Sequence, residues 1–233
     1  MTSRRRAGVL VVAAAAVVVV VLLVLVLVVR PGVRRPVSGP VPTPTARPSA
    51  TGAAFGVRDE REVTFEELTV ALPGTPYSCQ DPLPTPPPGF DGYVSCDAVV
   101  HDNFDGLGNT WESQVGVVLL DGSLGHPDDL DTSAKDAFRY FYRAFYSADD
   151  SPTRSDEVGE PVTVHGPAGA AYRHRVRVRV DREGLHTTSD LLSVEVVRLR
   201  SGRVAAVYAD LPNDAQREVL RAVLVSQASI TLH

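Results

Sequence analysis

The sequence predicts an α+β fold, a mainly antiparallel sheet with helices packed on it, preceded by one transmembrane helix. Three observations predict it. Residues 7–29 are apolar throughout. From Glu62 onward, short runs of strand-like hydrophobicity are separated by turn-forming residues rather than by helical crossovers. Two segments, 131–148 and 211–228, switch to a helical period. Strands that follow one another through short turns pair antiparallel, whereas a doubly wound parallel sheet needs a crossover between neighbours.

The chain opens MTSRRR, residues 1–6, expected as a cytoplasmic stub. AGVLVVAAAAVVVVVLLVLVLVV follows, 23 residues (7–29) without charge, polar side chain or proline. As a helix it spans about 34 Å, enough for a hydrocarbon core of about 30 Å. Valine's modest helix propensity matters little in lipid, where the helix satisfies every peptide group internally. A cleaved signal peptide has a shorter apolar region and a small-residue cleavage site. This run ends in Val28, Val29, Arg30 and Pro31, so an uncleaved signal anchor is expected, with late cleavage in the following segment as the competing reading. Arginines flank both ends almost equally, Arg4, Arg5 and Arg6 before and Arg30, Arg34 and Arg35 after, so the positive-inside rule alone leaves the orientation open.

Residues 30–57 hold six prolines and no acidic residue. Such chain makes a poor core and an extended spacer of about 3.1 Å per residue. The expected folded domain is 58–233. Its 16 basic and 28 acidic residues leave a formal charge of −12, which disfavours nucleic-acid binding. Lys135 is the single lysine among 23 basic residues, a bias that, with the abundant Ala and Val, suggests a high-GC bacterial genome.

The two cysteines, Cys79 and Cys96, bracket a proline-rich stretch. Behind an anchor and a stalk they are expected to form a disulfide, which places the domain on the oxidising, extracytoplasmic side of the cell membrane. Free buried thiols and a metal pair compete with that reading. A metal site would want further Cys or His at short spacing.

Within the domain, EVTFEELTVAL (62–72) reads as a first strand, and 94–100 and 111–120 as strands around the turn-rich HDNFDGLGNT. Ala134, Ala137, Phe138, Phe141 and Phe145 share one face of a helix over 131–148 that Asp131, Thr132 or Ser133 can cap. A short strand is expected at 161–165, GPAG (166–169) as a turn, and a strictly alternating strand at 172–181 with His174 toward the core. DLLSVEVVRLR and RVAAVYADL flank Ser201-Gly202 as a hairpin. Pro212 is expected to open a last helix with Val219, Leu220, Val223 and Leu224 inward, and SITLH closes the chain as a strand.

A first strand running into a proline-rich stretch, a central helix, a strand–turn–strand after G-x-x-G, and the closing SVEVVRLRSGRVAAVYADLPNDAQREVLRAVLVSQASITL resemble the PsbP-like fold. More closely, they are similar to the LpqN-type family of exported actinobacterial proteins. The resemblance covers roughly 60–233 and is architectural. It implies an α/β/α sandwich and a non-enzymatic role in binding or envelope assembly, and it transfers no catalytic residue. The anchor departs from that family, which usually carries a lipidated cysteine.

DGSLG (121–125) has the wrong spacing for a nucleophile elbow, and GLGNTW (106–111) lacks a third glycine and a strand-to-helix setting. Asp102, Asn103, Asp105 and Asn109 offer oxygens, but not in calcium-loop order. Six scattered histidines form no metal pattern, and no cofactor, metal or catalytic residue is expected. The unusual feature is Arg173, Arg175, Arg177 and Arg179, which share one strand face about 6.8 Å apart. They form a candidate anion-binding face for a lipid head group or wall polymer, set against a bland reading in which they pair with acidic residues on neighbouring strands. The expected function is a membrane-anchored, extracytoplasmic, non-catalytic binding or envelope-assembly module whose partner is an envelope protein, lipid or wall polymer. A secreted hydrolase or transferase with residues that converge only in three dimensions is the alternative, and a purely structural spacer a third.

Overall fold

The computed structural model describes residues 55–58, 61–166 and 169–233. The expected stub, the apolar segment 7–29 and nearly all of the linker lie outside the described residues. Among the described residues, no helix is long and apolar enough to cross a membrane.

The described chain is α+β, with two antiparallel sheets and two α-helices. Strands β1 (Gly56–Arg58), β2 (Glu62–Phe65), β3 (Leu68–Ala71) and β11 (Thr231–Leu232) form a small sheet in the order β1-β2-β3-β11. The large sheet comprises β4 (Ser78–Cys79), β5 (Phe90–His101), β6 (Trp111–Leu120), β7 (Thr153–Val162), β8 (Ala171–Arg179), β9 (Ser189–Arg198) and β10 (Val204–Pro212). Its order is β4-β5-β6-β10-β9-β8-β7. Helix α1 spans Leu130–Phe145, a 3-10 turn spans Ala148–Asp150, and α2 spans Arg217–Ala228.

Helix α1 forms because Asp129, rather than a residue of 131–133, caps it. The Asp129 carboxylate accepts the Thr132 N–H at 3.0 Å and the Thr132 hydroxyl at 2.8 Å. Ala134, Ala137, Phe138 and Phe141 make the buried stripe. They pack on one face of the large sheet, against Val176, Val178, Leu192, Val194, Val196, Ala206 and Tyr208. The opposite face carries Val94, Cys96, Val115, Val117, Ala205 and Val207, covered by Val63, Leu68 and Val70 of the small sheet and Val219 and Val223 of α2.

Five expectations need correction. The stretch 62–72 is a hairpin, not one strand: Phe65 pairs with Leu68, and Glu66 turns the chain at φ 51°. No glycine or asparagine announces that turn. Strand β5 starts at Phe90 rather than 94, through a bulge between Phe90 and Gly92. Strand β7 begins at Thr153, eight residues ahead of the expected strand. It is a largely exposed edge strand, bulged between Ser155 and Val158, so it shows no alternation. The last helix starts at Arg217 because the preceding residues serve β9 instead. Pro212 still pairs with Asp190, and the Asn213 side-chain oxygen accepts the N–H groups of Thr188 and Ser189 at 3.0 and 3.1 Å. On that helix Val219 and Val223 face inward, whereas Leu220 and Leu224 are exposed.

The centre of the large sheet is tight. A Cβ on Gly116 would lie 2.4 Å from the Tyr208 ring, which occupies the space over that residue. Gly116→Ala is therefore expected to lower unfolding free energy by about 1–3 kcal/mol through overpacking, measured by urea denaturation. Truncating Phe141, whose ring centroid is 4.0 Å from that of Tyr208, should cost about 3–5 kcal/mol in the same assay.

Candidate functional site: a buried carboxyl pair at a cleft

Strands β9 and β10 pair so that Leu192 opposes Asp210 and Asp190 opposes Pro212. Asp190 and Asp210 are thus diagonal neighbours on one face. Asp190 has no exposed surface and Asp210 is 4% exposed. Tyr146, just beyond α1, reaches between them, its hydroxyl 2.7 Å from Asp210 Oδ1 and 3.2 Å from Asp190 Oδ2. The Trp111 indole N–H points at Asp190 Oδ1 from 3.5 Å.

A phenol has one proton to donate. If Tyr146 donates it to the nearer carboxylate, Asp210, its oxygen can accept only from a protonated Asp190. Burial pushes Asp190 up to about 9, helped by the neighbouring charge of Asp210. Burial likewise pushes Asp210 up to about 7, against the bond from Tyr146. The two titrate as a pair, and burial holds both above the usual carboxylate range. Burial also drives Tyr146 itself well above its usual range.

The pair is not sealed. Asp210 lines a cleft of about 270 Å³ at the C-terminal end of α1, together with Trp111, Glu112, Gln114, Phe145, Asp150 and Arg182. Arg182 donates to Asp150 Oδ1 at 2.8 Å and stacks over Phe104 at 4.9 Å, so its charge is engaged. On the opposite side of β10, the Asp210 carbonyl accepts the Ser113 hydroxyl at 2.7 Å. Ser113 in turn can only accept from Tyr77, 2.6 Å away, and burial pushes Tyr77 up to about 12.

A second polar cluster joins His101, Thr187 and Asp214. His101 Nε2 lies 2.8 Å from Asp214 Oδ2, and the Thr187 hydroxyl donates to Asp214 Oδ1 at 2.7 Å. A nucleophile triad would place the histidine between hydroxyl and carboxylate. Here the hydroxyl reaches the carboxylate directly, and Thr187 is 2% exposed. The cluster ties the segment before β9 to the segment after β10.

Cys79 and Cys96 oppose each other on β4 and β5 and are joined by a disulfide. Cys96 is buried in the core beneath the small sheet. On β8 the four arginines share the expected face, and His174 is buried on the other, its ring 5.1 Å from Phe138. Arg173 donates through Nε and Nη2 to Glu195 Oε2 at 2.9 and 2.7 Å. Arg175 donates to Glu160 at 2.9 Å and Arg177 to Asp156 at 3.2 Å, while Arg179 is exposed at the strand end. Sequence reasoning singled out these arginines and missed the aspartates. Counting back from Ser201-Gly202 as a two-residue turn would put Asp190 and Asp210 on opposite faces; the observed register, with Arg198 on Val204, puts them on one face.

No protein-family model matches the chain, and no curated protein matches it. Among solved structures, the chain is similar to the solution structure of cyanobacterial PsbP (CyanoP) from Synechocystis sp. PCC 6803, at 14% identity and a TM-score of 0.44, over 82% of this chain and 100% of that one.

Two outcomes follow from this geometry. Cys79 and Cys96 close a loop with a sequence separation of 17, and replacing both with alanine is expected to cost about 3 kcal/mol in equilibrium unfolding. The carboxyl pair holds protons to about 9 and about 7, whereas an unfolded aspartate ionises near ~4. Over that interval the folded state binds more protons, so the pair's contribution falls as pH rises from about 4 to 9. Asp190→Asn keeps an N–H donor for Tyr146 but cannot titrate. Its denaturation midpoint should decline less steeply than wild type between pH 5 and 9; parallel curves would show that Asp190 holds no proton there.

Proposed function

We propose that this chain is a membrane-anchored, extracytoplasmic binding module. Residues 7–29 are its anchor, 30–57 its stalk, and the cleft at Asp210 its ligand site. The disulfide Cys79–Cys96 carries the reading, because bonds of this kind persist outside the reducing cytosol. The resemblance of the sequence to LpqN-type exported proteins supports it, and so does the formal charge of −12 over 58–233, which turns the domain away from nucleic acid. The partner is an envelope protein, a lipid or a wall polymer. Three of the four arginines on β8 already hold carboxylates, so an anionic ligand there would have to displace Glu160 and Asp156.

The carboxyl pair favours a second reading, a hydrolase or transferase. A raised carboxyl at the floor of a cleft is a common acid–base device. Asp190, however, is fully shielded, so of the pair only Asp210 can touch a substrate. Binding is therefore the stronger reading of the same geometry.

Thiol labelling of intact cells expressing the full chain tests the compartment. Both cysteines should resist a membrane-impermeant maleimide in intact cells, and after an impermeant reductant the half-buried Cys79 should label without lysis. Labelling of free thiols only after lysis would overturn the reading. For the second reading, turnover of an envelope substrate that Asp210→Asn abolishes would replace binding with catalysis.

A further inference from the structure

The cleft at Asp210 has a composition that selects a ligand class. Its charged lining residues are Glu112, Asp150, Arg182 and Asp210. Arg182 is committed to Asp150, which leaves Glu112 and Asp210 uncompensated. Asp210 is the deeper of the two. Its Oδ1 is held by Tyr146, while Oδ2 has no hydrogen-bond partner among the described residues. A carboxylate this buried gains from every donor it can find, because an unpaired buried charge is strongly disfavoured.

We propose that the cleft binds a primary ammonium group at the end of a short unbranched chain, seated on Asp210 Oδ2 with Glu112 at the rim. This rests on the reading of the cleft as a ligand site and names what enters it. Size supports the assignment. About 270 Å³ lies below the roughly 300–1,000 Å³ of pockets that enclose a whole drug-sized ligand, so the cleft takes the end of a chain. Charge excludes an anion, since the arginine present is engaged. Geometry separates the two cationic classes. A guanidinium fork matches two accessible carboxylate oxygens, and Asp210 presents one. An ammonium is a compact charge with three donors, and it can bond Asp210 Oδ2 while its remaining protons face Glu112 or Gln114. Trp111 and Phe145 line the same space and offer aromatic surface to the alkyl chain.

Trp111 is the only tryptophan in the chain, so its fluorescence reports on this cleft alone. The experiment titrates the full chain, purified in detergent micelles, with n-butylammonium and with Nα-acetyl-lysine methylamide. The neutral controls are n-butanol and the Nε-acetylated form of the lysine probe. Both amines should change Trp111 emission saturably, with apparent Kd at least tenfold below that of either neutral control. Tighter binding of the lysine probe would identify a peptide side chain as the source, and tighter binding of butylammonium a free amine. Asp210→Asn should abolish the response. If that variant does not fold, Glu112→Gln decides the matter, with an expected loss of several-fold. The proposal is overturned if neutral and charged probes bind equally, or if a folded Asp210→Asn and Glu112→Gln both bind the amines as wild type does. A neutral polyol that shifts Trp111 emission where the amines do not would overturn the ammonium assignment and leave the cleft standing as a ligand site.

Discussion

Tyr208 lies at the middle of β10, its ring centroid 4.0 Å from that of Phe141 and its hydroxyl 3.1 Å from that of Tyr93. The phenol fills the space that Gly116 leaves on the neighbouring strand. A ring of that size standing on a sheet must be roofed, and α1 supplies the roof through Phe141 and Phe145, with Phe90 stacked alongside. Strand β10 is buried on its other face as well, where Ala205, Val207 and Ala209 need their own cover. The small sheet and α2 provide it. The central strands thus dictate three layers, although an antiparallel sheet can leave one face wet.

That covering reaches only the Val162 and Ala171 ends of β7 and β8, and the change shows in the residues beyond. Along β8, Val176 and Val178 lie beneath α1 while Arg173, Arg175 and Arg177 turn to the other face. With no third layer over them, the arginines meet Glu195, Glu160 and Asp156 across the strands. The Arg175–Glu160 and Arg177–Asp156 pairs are exposed and contribute little stability, whereas Glu195 is buried under Arg173. Their role is to finish a sheet end that hydrophobic layers do not reach, and the bulge and Pro161 on β7 make that edge a poor template for further pairing.

The sequence could be read wherever the period of burial was regular. The alternation in β8, the apolar runs of β9 and β10 around Gly202 at φ 81°, and the stripe of α1 all follow rules that act over a few residues. Reading failed where tertiary contacts override local signals. Glu66 adopts a left-handed turn that its residue type does not announce. Asn213 and Asp214 look like the start of a helix but bond back to Thr187, Thr188 and Ser189. In α2, Leu220 and Leu224 match the helical period but point to solvent, because β3 and β10 accept only the narrow ridge of Val219, Val223 and Ser226. Asp190 and Asp210 each look like an ordinary strand end; only the register of β9 on β10 brings them together.

The register brings a cost with it. Two carboxyls on adjacent strands, screened from water by Trp111 and Tyr146, cannot both ionise cheaply. Replacing a buried ionisable pair with apolar side chains of similar size is often stabilising, by roughly 1–4 kcal/mol. The chain instead holds the pair in place from three directions. Tyr146 fixes the near oxygens, Trp111 approaches Asp190 from behind, and Ser113 anchors the Asp210 carbonyl from the far side of the strand through Tyr77. Tyr77 stands two residues from Cys79, whose bond to Cys96 pins β4 to β5. The disulfide thus steadies the segment that carries the last link to Asp210. A carboxyl that burial disfavours, held through Oδ1 by Tyr146, can take a further donor at Oδ2 from a cation in the cleft. Ligand binding and stability are then linked through one atom: a cation that pairs with Asp210 offsets the desolvation of its carboxylate and stabilises the folded chain by mass action.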